Sequence, residues 1–130
     1  MLKKSLTLIL IIITIMLIEV LRIEINPLTK SEEEITKTLL SQFPLGTHIE
    51  EVILYAENNK RWTDIYIHEG GHPLDTRIGT RAGEKLLSVY LGEYRIISDL
   101  YLVSDVKVFF AFNTKSELIN VEVEKTTNAI

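Results

Sequence analysis

The sequence contains no cysteine, which excludes a disulfide framework, a thiolate zinc centre, a cysteine nucleophile and a cysteine for lipid attachment. Basic charge is also scarce. The chain carries 14 Lys and Arg against 18 Asp and Glu, a formal net charge of −4, and from Asn26 onward the balance is 11 to 16, or −5. Nucleic-acid binding is disfavoured on that ground, because neutralising phosphates takes clustered Lys and Arg. Repeats and low-complexity tracts are absent as well. What the chain has in excess is apolar side chains, 46 % of its 130 residues. The surplus is concentrated between Leu6 and Ile18, where only Thr7 and Thr14 interrupt it. Setting that run aside leaves a part of about a hundred residues, enough for one core.

Met1-Leu2-Lys3-Lys4 places positive charge ahead of the apolar run, as in both a cleavable signal peptide and an uncleaved signal anchor. The residues that follow, Glu19-Val20-Leu21-Arg22-Ile23-Glu24-Ile25-Asn26, offer none of the paired small residues that signal peptidase requires, which favours an anchor. Thirteen residues of helix rise only about 20 Å against a hydrocarbon core of about 30 Å. Continuing through Val20, Leu21, Ile23 and Ile25 gives about 20 residues, with Glu19 and Arg22 snorkelling at the outer interface. The expectation is a transmembrane helix over residues 1–25 that meets the membrane through residues 6–25. The lysine pair would stay cytoplasmic, and the remainder would lie periplasmic or extracellular, single-pass in the inner (plasma) membrane.

Pro27 ends this segment, and residues 26–30 read as a linker to a domain over 31–130. Ser31 and Glu34 have capping-box spacing, and Ile35, Leu39, Leu40 and Phe43 then share one side of a helix. Pro44-Leu45-Gly46 stops it. Thr47 and Glu50 repeat the spacing, and Ile49, Val52, Ile53 and Ala56 carry a second amphipathic helix to about Asn58. The period then changes to 2. Strands are expected at Trp62 to Ile67, around Leu87-Val89-Leu91, through Val106-Val108-Phe110-Phe112 and through Ile119-Val121-Val123, the last two joined by the polar connector Asn113 to Glu117. The fold class is therefore α+β, a helix hairpin packed on an antiparallel sheet of three or four strands behind the N-terminal helix.

Leu45-Gly46-Thr47 with Glu50-Glu51-Val52, and Val108 to Asn113 with Leu118-Ile119-Asn120-Val121, carry a resemblance. In this order of elements they resemble the second-helix start and the closing hairpin of the outer-membrane assembly lipoproteins BamE (SmpA/OmlA), whose fold is shared with beta-lactamase inhibitor protein. Leu91-Gly92-Glu93-Tyr94-Arg95 and the ending Val123 to Thr127 are similar to those of small membrane-anchored bacterial proteins with such a domain. The likeness spans about residues 31–127. It implies a protein-binding domain of the cell envelope, and by the inhibitor branch an immunity or inhibitor protein against a toxin or enzyme. The assembly lipoproteins hang from a lipidated cysteine, whereas this chain has an apolar helix.

His68-Glu69-Gly70-Gly71-His72 matches H-E-x-x-H formally, the pattern of a zinc metallopeptidase. The match works only on a helix, and Gly70-Gly71 costs about 2 kcal/mol of helix propensity while Pro73 disfavours helical dihedrals at His72. A third ligand is not evident in His48, Asp64, Asp75 or Glu84. No catalytic set, metal site or cofactor is assigned, and the chain is read as a non-enzyme. The glycine-rich connector from Glu69 to about Ala82 carries Arg77 and Arg81, which could pair with carboxylates or phosphates of a partner. Tyr94 and Arg95 complete the candidate partner-binding set, and Trp62, Tyr90, Tyr94 and Tyr101 could form an aromatic face. The sequence thus predicts a domain that works by contact with an envelope or periplasmic protein.

Overall fold

The computed structural model describes residues 2–69, 83–96 and 102–129, with the backbone alone for 20–25. The fold is α+β: the described residues form three α-helices and a four-stranded antiparallel meander in the order β1-β2-β3-β4. The helices are α1 (Leu2–Ile25), α2 (Glu32–Gln42) and α3 (Ile49–Asn58), and the strands are β1 (Thr63–Glu69), β2 (Lys85–Arg95), β3 (Leu102–Phe112) and β4 (Leu118–Ala129).

Every side chain of α1 from Leu2 to Glu19 is exposed. Among the described residues no helix is long and apolar enough to cross a membrane. The described side chains of α1 bracket their apolar run with Lys3 and Lys4 on one side and Glu19 on the other.

The segment after α1 is more ordered than the linker expected there. Pro27–Thr29 form a 3-10 turn, capped by Asn26, whose Oδ1 accepts from the Leu28 N–H at 3.1 Å. Proline suits this first position because its fixed φ is helical and its missing N–H is not needed. Ser31 then caps α2 by accepting from the Glu34 N–H at 3.1 Å, and Glu32, Glu33 and Glu34 occupy the first turn, where the helix dipole favours them.

The cap of α3 differs from the expectation. His48, not Thr47, is the N-cap, with Nδ1 accepting from the Glu50 N–H at 3.3 Å. Thr47 is engaged in the preceding turn, donating through Oγ1 to the Pro44 carbonyl at 2.6 Å. It also accepts on its own carbonyl from the Leu118 N–H at 2.8 Å, while Gly46 donates to the Leu118 carbonyl at 2.8 Å. Gly46 has φ +95°, a left-handed conformation that glycine adopts without strain. The α2–α3 loop is thereby stitched to the start of β4.

The other half of that junction is the β3–β4 turn. Asn113 Oδ1 accepts from the N–H groups of Lys115 and Glu117 at 2.9 and 3.0 Å, and its own N–H donates to the Glu117 carbonyl at 2.9 Å. Asparagine is favoured here because its side chain stands in for a backbone acceptor. Consequently two of the stretches compared in the sequence, Leu45-Gly46-Thr47 and the one that starts at Leu118, are hydrogen-bonded neighbours.

The helix hairpin covers one face of the sheet. Ile35, Leu39 and Phe43 from α2 and Ile49 and Val52 from α3 pack on Leu87, Val89 and Leu91 of β2, on Val106, Val108, Phe110 and Phe112 of β3, and on Leu118, Val121 and Val123 of β4. The alternation read from the sequence accounts for the faces in β3 and for Leu87, Val89 and Leu91 in β2. In β4, however, Ile119, expected beside Val121 and Val123, is exposed and Leu118 is buried instead, where the pairing of β3 and β4 shifts register between Ala111 and Phe112. On the opposite face Leu86, Phe109 and Ala111 form a second, smaller buried cluster.

Strict alternation fails in β2. A bulge between Tyr90 and Gly92 inserts Leu91, so that Gly92 pairs with Val106 and Tyr94 with Ser104. Without the bulge Glu93 and Arg95 would face the core; with it Gly92 and Tyr94 do, and Glu93 and Arg95 are exposed on the other face. Gly92 has φ +130°, and a Cβ built there would lie 3.1 Å from Leu28 Cδ1. Glycine at the bulge therefore serves two ends: it takes a dihedral that side chains avoid, and it lets the 3-10 turn rest Leu28 on the sheet.

Lys125 closes the same junction from β4. Its Nζ donates to the Lys30 carbonyl and to Tyr94 Oη at 3.1 Å, and lies 4.8 Å from the Tyr94 ring centroid. Its backbone N–H donates to Glu32 Oε1 at 3.3 Å. The segment that leaves α1 is thus docked on the domain by Leu28 and by Lys125.

Candidate functional site

The candidate residues chosen from the sequence do not form one surface. Arg77 and Arg81 lie outside the described residues, as do His72 and Tyr101. Tyr94 is half-buried on the helix-covered face, engaged by Lys125, and Arg95 is exposed on the reverse of the same strand. Neighbours in a strand point to opposite faces, so Tyr94 and Arg95 cannot meet one partner side by side. The aromatic face also divides. Trp62 and Tyr94 pack against the main core, whereas Tyr90 projects from the other side and donates to Asp105 Oδ1 at 2.6 Å.

That Tyr90–Asp105 pair is a structural link across β2 and β3. Asn128 Nδ2 donates to the second carboxylate oxygen at 3.0 Å, so both oxygens of Asp105 are satisfied. Burial pushes the Tyr90 phenol well above the ordinary tyrosine range, helped by the hydrogen bond to Asp105 and by the charges of Asp105, Glu93 and Asp64. The phenol therefore stays protonated and acts as a fixed donor.

His48 and His68, the two histidines among the described residues, have local duties. His68 lies in β1, where Nε2 is 3.2 Å from Ser88 Oγ, and Glu69 follows it on the same strand with its side chain on the opposite face. His48 is spent as a helix cap. Among the described residues no group of three His, Cys, Asp or Glu side chains is placed to hold a metal ion.

The concave surface lies elsewhere, where the 3-10 turn, α2 and the connection from α3 to β1 converge. A cavity of about 310 Å³ is lined by Leu28, Ile35, Leu39, Trp62 and Leu91 and bordered by Lys30, Thr38, Gln42, Tyr55 and Arg61, with Asn26, Pro27 and Asn59 completing it. Ile35, Leu39 and Leu91 are buried and form its base, whereas Lys30, Thr38, Gln42 and Arg61 are exposed. Past Arg61 it continues into a shallower depression formed by Asn26, Pro27, Leu91, Gly92 and Glu93.

Aromatic packing fixes the wall of this cavity. Trp62 lies 4.9 Å from Tyr55, 6.3 Å from Phe43 and 6.2 Å from Phe110, centroid to centroid. Phe43 in turn meets Phe110 edge-to-face at 6.0 Å. Asn59 sets up the turn before β1 by accepting from the Arg61 N–H at 3.0 Å on Oδ1 and from the Trp62 N–H at 3.0 Å on its carbonyl. Arg61 and Trp62 thus reach the rim and the wall from one short turn.

Chemically the cavity sets an apolar base beside a cationic rim. Among the described residues lining the cavity beside α2 there is no carboxylate and no histidine, while apolar surface and two cations are present. Sequence reasoning missed Lys30 and Arg61. The available signal was Arg61 beside the chain's one tryptophan, but the opposing wall comes from Leu28, more than thirty residues away. No family model, curated protein or solved structure matches the chain.

Proposed function

We propose that the chain is a single-pass, membrane-anchored domain that works by contact with an envelope or periplasmic protein on the outer side of the plasma membrane, without chemistry of its own. The observation that carries this reading is the apolar run Leu6 to Ile18, exposed all along α1 and continued by a segment docked onto the sheet. An exposed run of that length needs an apolar surrounding. With the sequence of residues 20–25 included, α1 has 24 residues, a rise of about 36 Å that suffices for a hydrocarbon core of about 30 Å. Lys3 and Lys4 favour a cytoplasmic start.

Docking of the 3-10 turn by Leu28 and Lys125 supports a role at a set distance from the bilayer, because a flexible tether would not need it. The strand geometry at His68 and Glu69 supports a non-catalytic reading, since a zinc peptidase needs that motif on one helical face. The likeness to the BamE (SmpA/OmlA) lipoproteins supports contact as the mode of action, with the helix in the place of the lipid.

Crosslinking in intact cells followed by capture of the full-length tagged chain tests this proposal. The expected result is a specific envelope protein at near stoichiometry, lost when Arg77 and Arg81 are both replaced by Gln. A captured toxin or enzyme that the chain silences would make it an immunity or inhibitor protein. Stoichiometric zinc with hydrolase activity, abolished by His68→Ala, would refute the contact reading.

A further inference from the structure

We propose that the cavity beside the 3-10 turn is a lipid site, taking part of one acyl chain of an anionic phospholipid while Arg61 and Lys30 hold its phosphate. The inference rests on the anchored reading above and supplies a ligand for its membrane-proximal end.

The shape of the cavity sets the first condition. Its base is apolar, from Ile35, Leu39 and Leu91, with Leu28 and the half-buried Trp62 as facing walls. At about 310 Å³ it lies at the small end of ligand clefts, which suits a slender chain better than a bulky polar group. The Trp62 indole N–H makes no hydrogen bond among the described residues.

Charge sets the second condition. The only charged side chains among the described residues lining the cavity are Lys30 and Arg61, although the chain from Asn26 onward has a net charge of −5. Arg61 is exposed and forms no ion pair with any described residue. Its planar guanidinium matches two phosphate oxygens at once. Glu93 lines the adjoining depression and not this cavity, which favours the Lys30 side of Arg61 for the phosphate.

Position sets the third. Asn26 and Pro27, at the border of the cavity, directly follow Ile25, the last residue of α1. In the anchored reading the cavity therefore opens where the chain leaves the bilayer. Tyr55 and Trp62 flank it, and these two residue types collect at membrane–water interfaces because each has an apolar body and a polar tip.

Trp62 is the chain's only tryptophan, so its fluorescence reports on this wall alone. The experiment places the full-length chain in nanodiscs of phosphatidylcholine and adds phosphatidylglycerol brominated on its acyl chains, or phosphatidylcholine brominated in the same way. The expected result is saturable quenching of Trp62 at a low fraction of brominated phosphatidylglycerol. Arg61→Gln should raise the half-quenching fraction about tenfold, the size of one lost charge-assisted contact. Thr38→Trp is unsuitable because it adds a fluorophore, so Thr38→Leu, which narrows the cavity from the exposed side of α2, serves as the second variant and should weaken quenching without lowering the melting temperature. Equal quenching by the two brominated lipids overturns the headgroup assignment. No quenching by either, with the chain retained in the discs, overturns the lipid site and leaves the anchor standing. A chain that does not enter the discs overturns the anchored reading itself.

Discussion

Replacing Gly92 with Ala tests how the segment after α1 is held. The glycine has φ +130°, where an L side chain is strained, and the added Cβ would sit 3.1 Å from Leu28 Cδ1. The dihedral alone costs about 1–3 kcal/mol. The contact adds about 1 kcal/mol, since Leu28 ends in a flexible side chain that can shift by a few tenths of an ångström. Together these give a loss of about 2–4 kcal/mol. For a domain of about a hundred residues that lowers the melting temperature by about 10 °C or more. Thermal unfolding of the full chain in detergent, followed by Trp62 fluorescence, measures it. The pair with Leu28→Ala separates the two parts: in that background Gly92→Ala should cost about 1 kcal/mol less, because the steric part has gone and the dihedral part has not. A loss below about 0.5 kcal/mol for Gly92→Ala alone would refute the reasoning. So would full additivity of the two substitutions, which would show that the turn does not rest on the bulge.

Tyr90→Phe removes the donor to Asp105 and should cost about 1–2 kcal/mol near neutral pH, read from the same unfolding curves. Its pH dependence has a definite sign. The folded phenol titrates above the unfolded value of about 10, so its contribution is complete below that pH and is lost as pH rises beyond it. Above about pH 10 the parent should therefore lose stability more steeply than Tyr90→Phe, and parallel profiles would contradict the assignment. Asn113→Ala removes the side-chain oxygen that accepts from two backbone N–H groups of the β3–β4 turn. It should cost about 1–2 kcal/mol in a thermal melt, with Asn113→Asp recovering most of it. Lys125→Met keeps the stem but removes the hydrogen bonds to Lys30 and Tyr94. Limited proteolysis should then cut faster between residues 26 and 31, and an unchanged rate would show that the clasp does not hold the linker.

The parts of the fold that were legible are those set by local chemistry. Ser31 and the glutamates behind it mark the start of α2, and the spacing of Ile49, Val52 and Ala56 marks the buried stripe of α3. The alternation of Val106, Val108, Phe110 and Phe112 fixes the central strand. What was not legible depends on pairs distant in sequence. Thr47 reads as a cap, yet its hydroxyl is taken by Pro44 and its carbonyl by Leu118, which moves the cap to His48. The bulge at Gly92 swaps the faces of Tyr94 and Arg95, so that Tyr94 and not Arg95 turns to the helix-covered side, against the plain alternation of Leu87, Val89 and Leu91. The cavity required Leu28, Leu39, Trp62 and Leu91 to converge from four separate segments. Its cations were visible as Lys30 and Arg61, but nothing local distinguishes them from solvated surface charges.

Membrane attachment is the claim on which the rest depends, and alkaline extraction of cell membranes combined with protease treatment of intact spheroplasts measures it directly. The full-length chain should remain in the membrane pellet at high pH, and its part after Asn26 should be digested from outside while the membrane is intact. A chain lacking residues 1–25 should lose membrane retention. Release of the full-length chain into the soluble fraction, or protection of the domain until the membrane is breached, would contradict the anchored outward-facing reading.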